Sequence, residues 1–81
     1  MENRVIYGVR EEIYGIGEKK RRSYGVVAYA DMGEDTIFTV IAAVGDVTGD
    51  RAKLSEFVEI CNEKALDIRH LHDAVEDLLL G

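Results

Sequence analysis

The spacing of apolar residues changes once along this chain of 81 residues, near Val44. Before that point β-branched and aromatic residues alternate with polar ones, and after it apolar residues recur every three to four positions. Alternation with a period of two is typical of a half-buried strand, and a spacing of three to four is typical of an amphipathic helix. The pattern therefore predicts a β-rich first half followed by helices.

Three strands are predicted before the change. The first carries apolar side chains of one parity, namely Val5, Tyr7, Val9 and Ile13. The second spans residues 23–30 and the third residues 36–44, with a polar, glycine-containing loop of hairpin length at residues 31–35. These segments predict an antiparallel meander.

A turn at Lys19-Lys20 defines a register for the first hairpin. It places Tyr14 opposite Gly25, so that the ring covers the glycine across the ladder. It also places Ile13 opposite Val26. This register directs the apolar residues of both strands to one face, as a sheet that packs on helices requires.

Two helices are predicted after Gly45. Thr48 or Asp50 can accept hydrogen bonds from the first helical turn, and Asp67 can cap a second helix after the first ends near Ala65. Two short helices joined by a tight break cannot bury both apolar stripes on each other, so we expect them on one face of the sheet. The helix residues expected in this core are Leu54, Phe57, Val58, Cys61, Leu71, Val75 and Leu78, and the strand residues are Val5, Val9, Val26, Ala28, Phe38 and Val40.

The fold predicted from these elements is α+β, with a three-stranded antiparallel sheet followed by two helices packed on one face, in the order β-β-β-α-α. The length allows one modest core, so residues 1–81 are predicted to form a single domain. No apolar run approaches the ~20 residues that span a membrane. The lone Cys61 requires no oxidising compartment, and we expect a cytoplasmic protein without a cofactor.

Charge is unevenly distributed. Residues 1–30 carry a net charge of +2 and residues 31–81 a net charge of −8, which gives −6 overall. An acidic chain is not drawn in bulk to a phosphate backbone, because affinity for nucleic acid depends on the placement of cations. The basic run of Lys19, Lys20, Arg21 and Arg22 is the one feature that supports nucleic-acid binding, and a solubilising turn explains the same run more simply.

Several short motifs resemble a family of small uncharacterised bacterial proteins, a domain of unknown function. The motifs are Ser23-Tyr24-Gly25-Val26, Asp46-Val47-Thr48-Gly49-Asp50, Cys61-Asn62-Glu63 and, most specific, the C-terminal His-Leu-x-Asp-x-Val-Glu-Asp that begins at His70. The chain departs from the family pattern at Gly49 and Arg69. The resemblance implies no reaction, ligand or partner.

The C-terminal histidines and acids suggest metal-assisted chemistry, but their spacing argues against it. On a helix His70, Asp73 and Asp77 share one face, and this set has a single imidazole, which is a weak zinc site. A solvated acidic face is the simpler interpretation. Cys61 lies on the apolar stripe, where a free cysteine behaves as a small buried hydrophobe rather than a nucleophile.

The sequence thus indicates a non-enzymatic protein-interaction or regulatory module, with nucleic-acid binding through residues 19–22 or a minor metal-assisted activity as alternatives. Helices cover only one face of the sheet, so apolar residues of the other parity are left for a partner. These residues are Ile6, Tyr14, Val27, Tyr29, Ile37 and Ile41. We expect a homodimer, formed through this second face or through a free edge of the sheet.

Overall fold

The computed structural model describes residues 4–31 and 38–80, and it confirms the predicted order β-β-β-α-α. The strands are β1 (Arg4–Tyr14), β2 (Arg21–Asp31) and β3 (Phe38–Thr48), and the helices are α1 (Arg51–Glu63) and α2 (Leu71–Leu80). The strands form one antiparallel sheet in the order β1-β2-β3. Neither helix is long and apolar enough to cross a membrane.

The register of the first hairpin differs from the predicted one by four residues. Val26 lies opposite Val9 rather than Ile13, and Gly25 lies opposite Arg10 rather than Tyr14. The connection is longer than a turn at Lys19-Lys20, because residues 15–20 lie between the strands and include a short 3-10 turn. A shift of four is even, so every side chain keeps its predicted face.

The core lies between the sheet and the two helices, where most of the predicted residues pack. Tyr7, Val26 and Ala28 from the sheet meet Leu54, Val58, Cys61, Leu71 and Val75 from the helices, with Val5, Val9, Phe57 and Leu78 packed against them. Ile13 was predicted to lie opposite Val26 on the face that packs on the helices, but it is 62% exposed. Ile13 pairs with Arg22 near the hairpin end rather than with Val26 in the middle of the sheet.

β3 is irregular in two places, and the first irregularity overturns the prediction that Val40 is a core residue. Ala42 pairs with Ala28 but Val40 pairs with Tyr29, so Ile41 is an extra residue in β3. A bulge of this kind reverses the alternation of side chains, and it leaves Val40 55% exposed. The side chain of Phe38, the other β3 residue predicted for the core, lies outside the described residues.

The second irregularity lies at the other end of β3, where two extra residues separate the pairs Val26–Val44 and Tyr24–Thr48. The strand therefore runs on to Thr48 instead of ending at Val44 as predicted. Asp46, inside this irregularity, has a φ of 52°.

The helix boundaries follow the predicted caps. The Asp50 carboxylate accepts a hydrogen bond from the Lys53 amide at 3.1 Å, and Asp67 accepts one from the Arg69 amide at 2.9 Å in a 3-10 turn that leads into α2. α1 ends where Ala65 takes a φ of 52°, which lets the Leu66 amide donate to the Cys61 carbonyl at 2.9 Å. The Ala65 amide also donates to the Asn62 carbonyl at 3.3 Å, and these two hydrogen bonds are typical of a Schellman end, with alanine at the position that glycine usually occupies.

One side chain ties α1 to the outer edge of β1. The Tyr7 amide donates to Asn62 Oδ1 at 2.7 Å, and Asn62 Nδ2 donates to the Tyr7 carbonyl at 2.9 Å. The Tyr7 hydroxyl donates to the Leu66 carbonyl at 2.7 Å, and burial raises the pKa of this hydroxyl. Asn62 therefore takes the place of a neighbouring strand at this point of the edge.

Candidate interaction surface

The sheet has one covered and one uncovered face among the described residues. α1 packs on β1 and β2, and α2 packs on β3, all on the core face. The residues predicted to face away from the helices are exposed to different degrees: Val27 is buried, Ile6, Tyr14 and Tyr29 are half-buried, and Ile41 is 45% exposed. Ile37 lies outside the described residues.

Val27 is buried by its own chain. It pairs with Gly8 on one side and with Ala43 on the other. A Cβ atom on Gly8 would lie 3.6 Å from both Tyr29 and Val27, so these two side chains close over the glycine. The accessible apolar surface of β3 is instead provided by Val40 and Ile41.

A polar network occupies the hairpin end of the uncovered face, and all three strands contribute to it. We call it the Asp46 network; its members are Glu12, Tyr14, Arg21, Ser23 and Asp46. Arg21 donates two hydrogen bonds to the Asp46 carboxylate, at 2.8 and 2.7 Å, and the Ser23 hydroxyl donates a third at 2.7 Å. Glu12 accepts from the Tyr14 hydroxyl at 2.8 Å and from the Asp46 amide at 3.2 Å. The guanidinium of Arg21 also lies over the Tyr14 ring, 5.1 Å from its centre.

Two glycines allow the strands to approach closely at this network. A Cβ on Gly25 would lie 2.5 Å from the Val44 carbonyl oxygen and 2.7 Å from a carboxylate oxygen of Glu12. A Cβ on Gly45 would lie 3.1 Å from the Tyr14 hydroxyl. Glycine at both positions therefore makes room for the side chains of β1 above the irregular part of β3.

The electrostatics of the network favour a structural role over catalysis. Hydrogen bonds from Arg21 and Ser23 lower the pKa of Asp46 to about 2, so its carboxylate is a weak base. The hydrogen bond to Glu12 raises the pKa of the Tyr14 hydroxyl. Ser23 is 1% exposed and donates to this weakly basic carboxylate, so the pair does not generate a nucleophile.

The basic run does not form one continuous cationic patch. Lys19 ends the 3-10 turn, Lys20 follows it, and Arg21 and Arg22 begin β2. Arg21 is paired with Asp46, and Arg22 pairs with Glu11 at 2.8 Å. Only the two lysines of the run lack an ion pair among the described residues. A shallow, open depression lies beside them, lined by Ile13, Lys20, Arg21 and Arg22.

The C-terminal acids do not assemble a metal site. His70 closes the 3-10 turn, whereas Asp73 and Asp77 lie on α2, and all three are exposed. Within residues 4–31 and 38–80, no group of three histidine, cysteine, aspartate or glutamate residues could hold a metal ion. Cys61 is buried as predicted, and burial raises the pKa of its thiol.

Comparison with other proteins adds no information on function. No protein-family model, curated protein or solved structure matches the chain. The resemblance based on the His70 motif therefore stays a prediction.

Sequence reasoning missed the contact of Asn62 with the β1 edge and the contact of Arg21 with Asp46 at the hairpin end. Asn62 occupies an exposed position of α1, and nothing in the helical pattern distinguishes it from its polar neighbours. Arg21 and Asp46 are 25 positions apart, so their pairing depends on the register of all three strands. The sequence signal available for the second contact was the pair of small residues Gly45 and Gly25, which mark a close approach of backbones.

Proposed function

We propose that this chain is a non-enzymatic protein-interaction module that associates with a second copy of itself. The observation that carries the proposal is the exposed apolar surface of β3, where Val40 is 55% and Ile41 45% exposed. No helix of the described chain covers this side of the sheet. Apolar groups lose contact with water when a partner covers them, and identical surfaces most often meet about a twofold axis.

The absence of charge from this part of β3 supports a protein partner. Residues 39–45 contain no charged side chain, whereas the chain as a whole carries a net charge of −6. Depletion of charge at the centre of a contact surface is characteristic of protein interfaces. We place the module in the cytoplasm, because its buried free Cys61 requires no oxidising environment.

Nucleic-acid binding through residues 19–22 receives less support. Ion pairs with Asp46 and Glu11 neutralise two of the four cations of the run. Counterion release, which dominates affinity for a phosphate backbone, grows with the number of available cations. A salt-sensitive association of the protein with DNA or RNA would favour this alternative over self-association.

The oligomeric state in solution tests the proposal, with a matched pair of variants. Light scattering should give a mass near twice 9.0 kDa at high concentration and near 9.0 kDa on dilution. Ile41→Lys should shift the equilibrium to the monomer, whereas Ile60→Lys, at an isoleucine on α1 with the same 45% exposure, should leave it unchanged. The added lysine brings the net charge of each copy closer to zero, so stronger repulsion between copies would not explain dissociation. A parent that stays monomeric at millimolar concentration would rule out self-association.

A further inference from the structure

The two edges of the sheet differ in whether they can accept another strand. On the β1 edge Asn62 already bonds the amide and carbonyl of Tyr7, and Arg10 and Glu11 place charges along the same strand. Occupied backbone hydrogen-bonding groups and charged side chains prevent an edge strand from pairing with a strand of another chain. On the β3 edge, residues 39–45 carry neither charge nor proline, and no described element pairs with it.

The contact with Asn62 shows which way the backbone groups of each strand point. Tyr7 bonds Asn62, so its amide and carbonyl face away from β2, and those of its partner Ala28 face β3. Ala42, which pairs with Ala28, therefore bonds back to β2. Directions alternate along a strand, so the amide and carbonyl of Ala43 face outward.

The bulge brings a second outward group to the same edge. Tyr29 follows Ala28, so its backbone groups face β1, and Val40 opposite it has its own groups directed away from β2. In a regular strand Val40 and Ala43, three positions apart, would face opposite edges. The extra residue at Ile41 makes both face outward.

We propose that β3 pairs antiparallel with β3 of a second copy across a twofold axis, joining the two sheets into one of six strands. The axis lies between Ile41 and Ala42, so Val40 lies opposite Ala43 of the partner subunit. By symmetry this pairing occurs twice, and each pair exchanges two backbone hydrogen bonds. No charge opposes a like charge, because the paired segment has none. This inference rests on the proposed function, since it specifies how the second copy binds.

The size of this contact predicts a weak dimer. About this axis the six residues 39–44 pair; at about 3.4 Å each they give an edge about 20 Å long, and a sheet about 10 Å thick gives roughly 200 Å² of contact per copy. This is below the ~800 Å² per partner of a standard stable interface, so a dissociation constant in the micromolar range or above is expected. Because each copy carries a net charge of −6, added salt should tighten the dimer by screening repulsion.

Amide hydrogen exchange at two concentrations tests the pairing. In the dimer the amides of Val40 and Ala43 should be protected, and on dilution to the monomer they should exchange rapidly. The Val9 amide, which faces the outer edge of β1, is the internal control and should exchange at the same rate at both concentrations. If the protein dimerises and the amides of Val40 and Ala43 remain unprotected, the edge pairing is refuted while self-association stands.

Two variants provide an independent test by light scattering. Ala43→Pro removes an outward amide that β2 does not use, and it should weaken the dimer at least about tenfold. Val40→Lys adds a charge at an exposed edge position and should also weaken the dimer at least about tenfold. This second variant keeps the test valid if Ala43→Pro prevents folding. A dimer that is unchanged in folded Val40→Lys overturns the edge pairing alone. A parent that never dimerises overturns both this inference and the proposed function.

Discussion

Replacing Asn62 with alanine isolates the link between α1 and the edge of β1. The change removes two hydrogen bonds to the Tyr7 backbone, at 2.7 and 2.9 Å. Each such bond contributes about 1 kcal/mol to stability, so their loss costs about 2 kcal/mol. Alanine favours a helix over asparagine by up to about 0.5 kcal/mol, which leaves an expected loss near 1.5 kcal/mol.

Urea denaturation followed by circular dichroism, at a concentration where the protein is monomeric, measures this loss. The slope of the free energy against urea should stay constant, which shows that the folded state remains equally compact. Glu59→Ala is the control, since Glu59 is also exposed on α1 and makes no hydrogen bond among the described residues; it should change stability by less than about 0.5 kcal/mol. If Asn62→Ala costs no more than this control, the bonds to Tyr7 do not hold α1 on β1.

Three further predictions concern backbone geometry and charge. Ala65→Gly should raise the free energy of unfolding by about 1 kcal/mol, because it relieves a non-glycine residue at a φ of 52°; a decrease in urea denaturation would contradict the αL end of α1. The pKa of Asp46 is lowered to about 2 in the folded chain, so its stabilising effect is complete above about pH 4 and is lost as the pH falls towards 2. Asp46→Asn should therefore make the free energy of unfolding depend less steeply on pH between about 4 and 2. Some dependence should remain, because the pKa of Asp67 is also lowered to about 2. An unchanged dependence on pH would exclude Asp46 as a contributor. Gly25→Ala should cost about 1 to 3 kcal/mol because its Cβ would overlap a carbonyl of β3, whereas Gly49→Ala, with 3.8 Å of clearance, should be tolerated; equal melting temperatures would refute the close approach.

The interaction surface shows which exposed residues residue type and parity could predict and which they could not. Parity correctly separated Val27 from the core cluster, yet Val27 is 4% exposed, and its side chain lies over Gly8 together with that of Tyr29. Val40 was predicted for the core and is exposed, since a single extra residue in β3 reverses its direction. Whether a position is available to a partner thus depended on neighbours across the sheet, which the linear pattern does not show.

The sequence by itself determined the elements, their order and the faces that β1, β2 and the two helices bury. These properties depend on local spacing: alternation in β1, three-to-four spacing in the helices, and caps at Asp50 and Asp67. A hairpin shifted by four residues still buries the same side chains, so the fold class was correct although the register was not.

Only the tertiary structure decided the register, the bulges and whether each edge of the sheet can accept another strand. These depend on contacts between residues far apart in sequence, such as Asn62 with the Tyr7 backbone and Arg21 with Asp46. The energies that select among registers of equal parity come from such pairings and from the room that Gly25 provides between strands, and none of them has a periodic signature. The charge-free edge of β3 was visible in the sequence, but that its outward amides belong to Val40 and Ala43 follows only from the bulge.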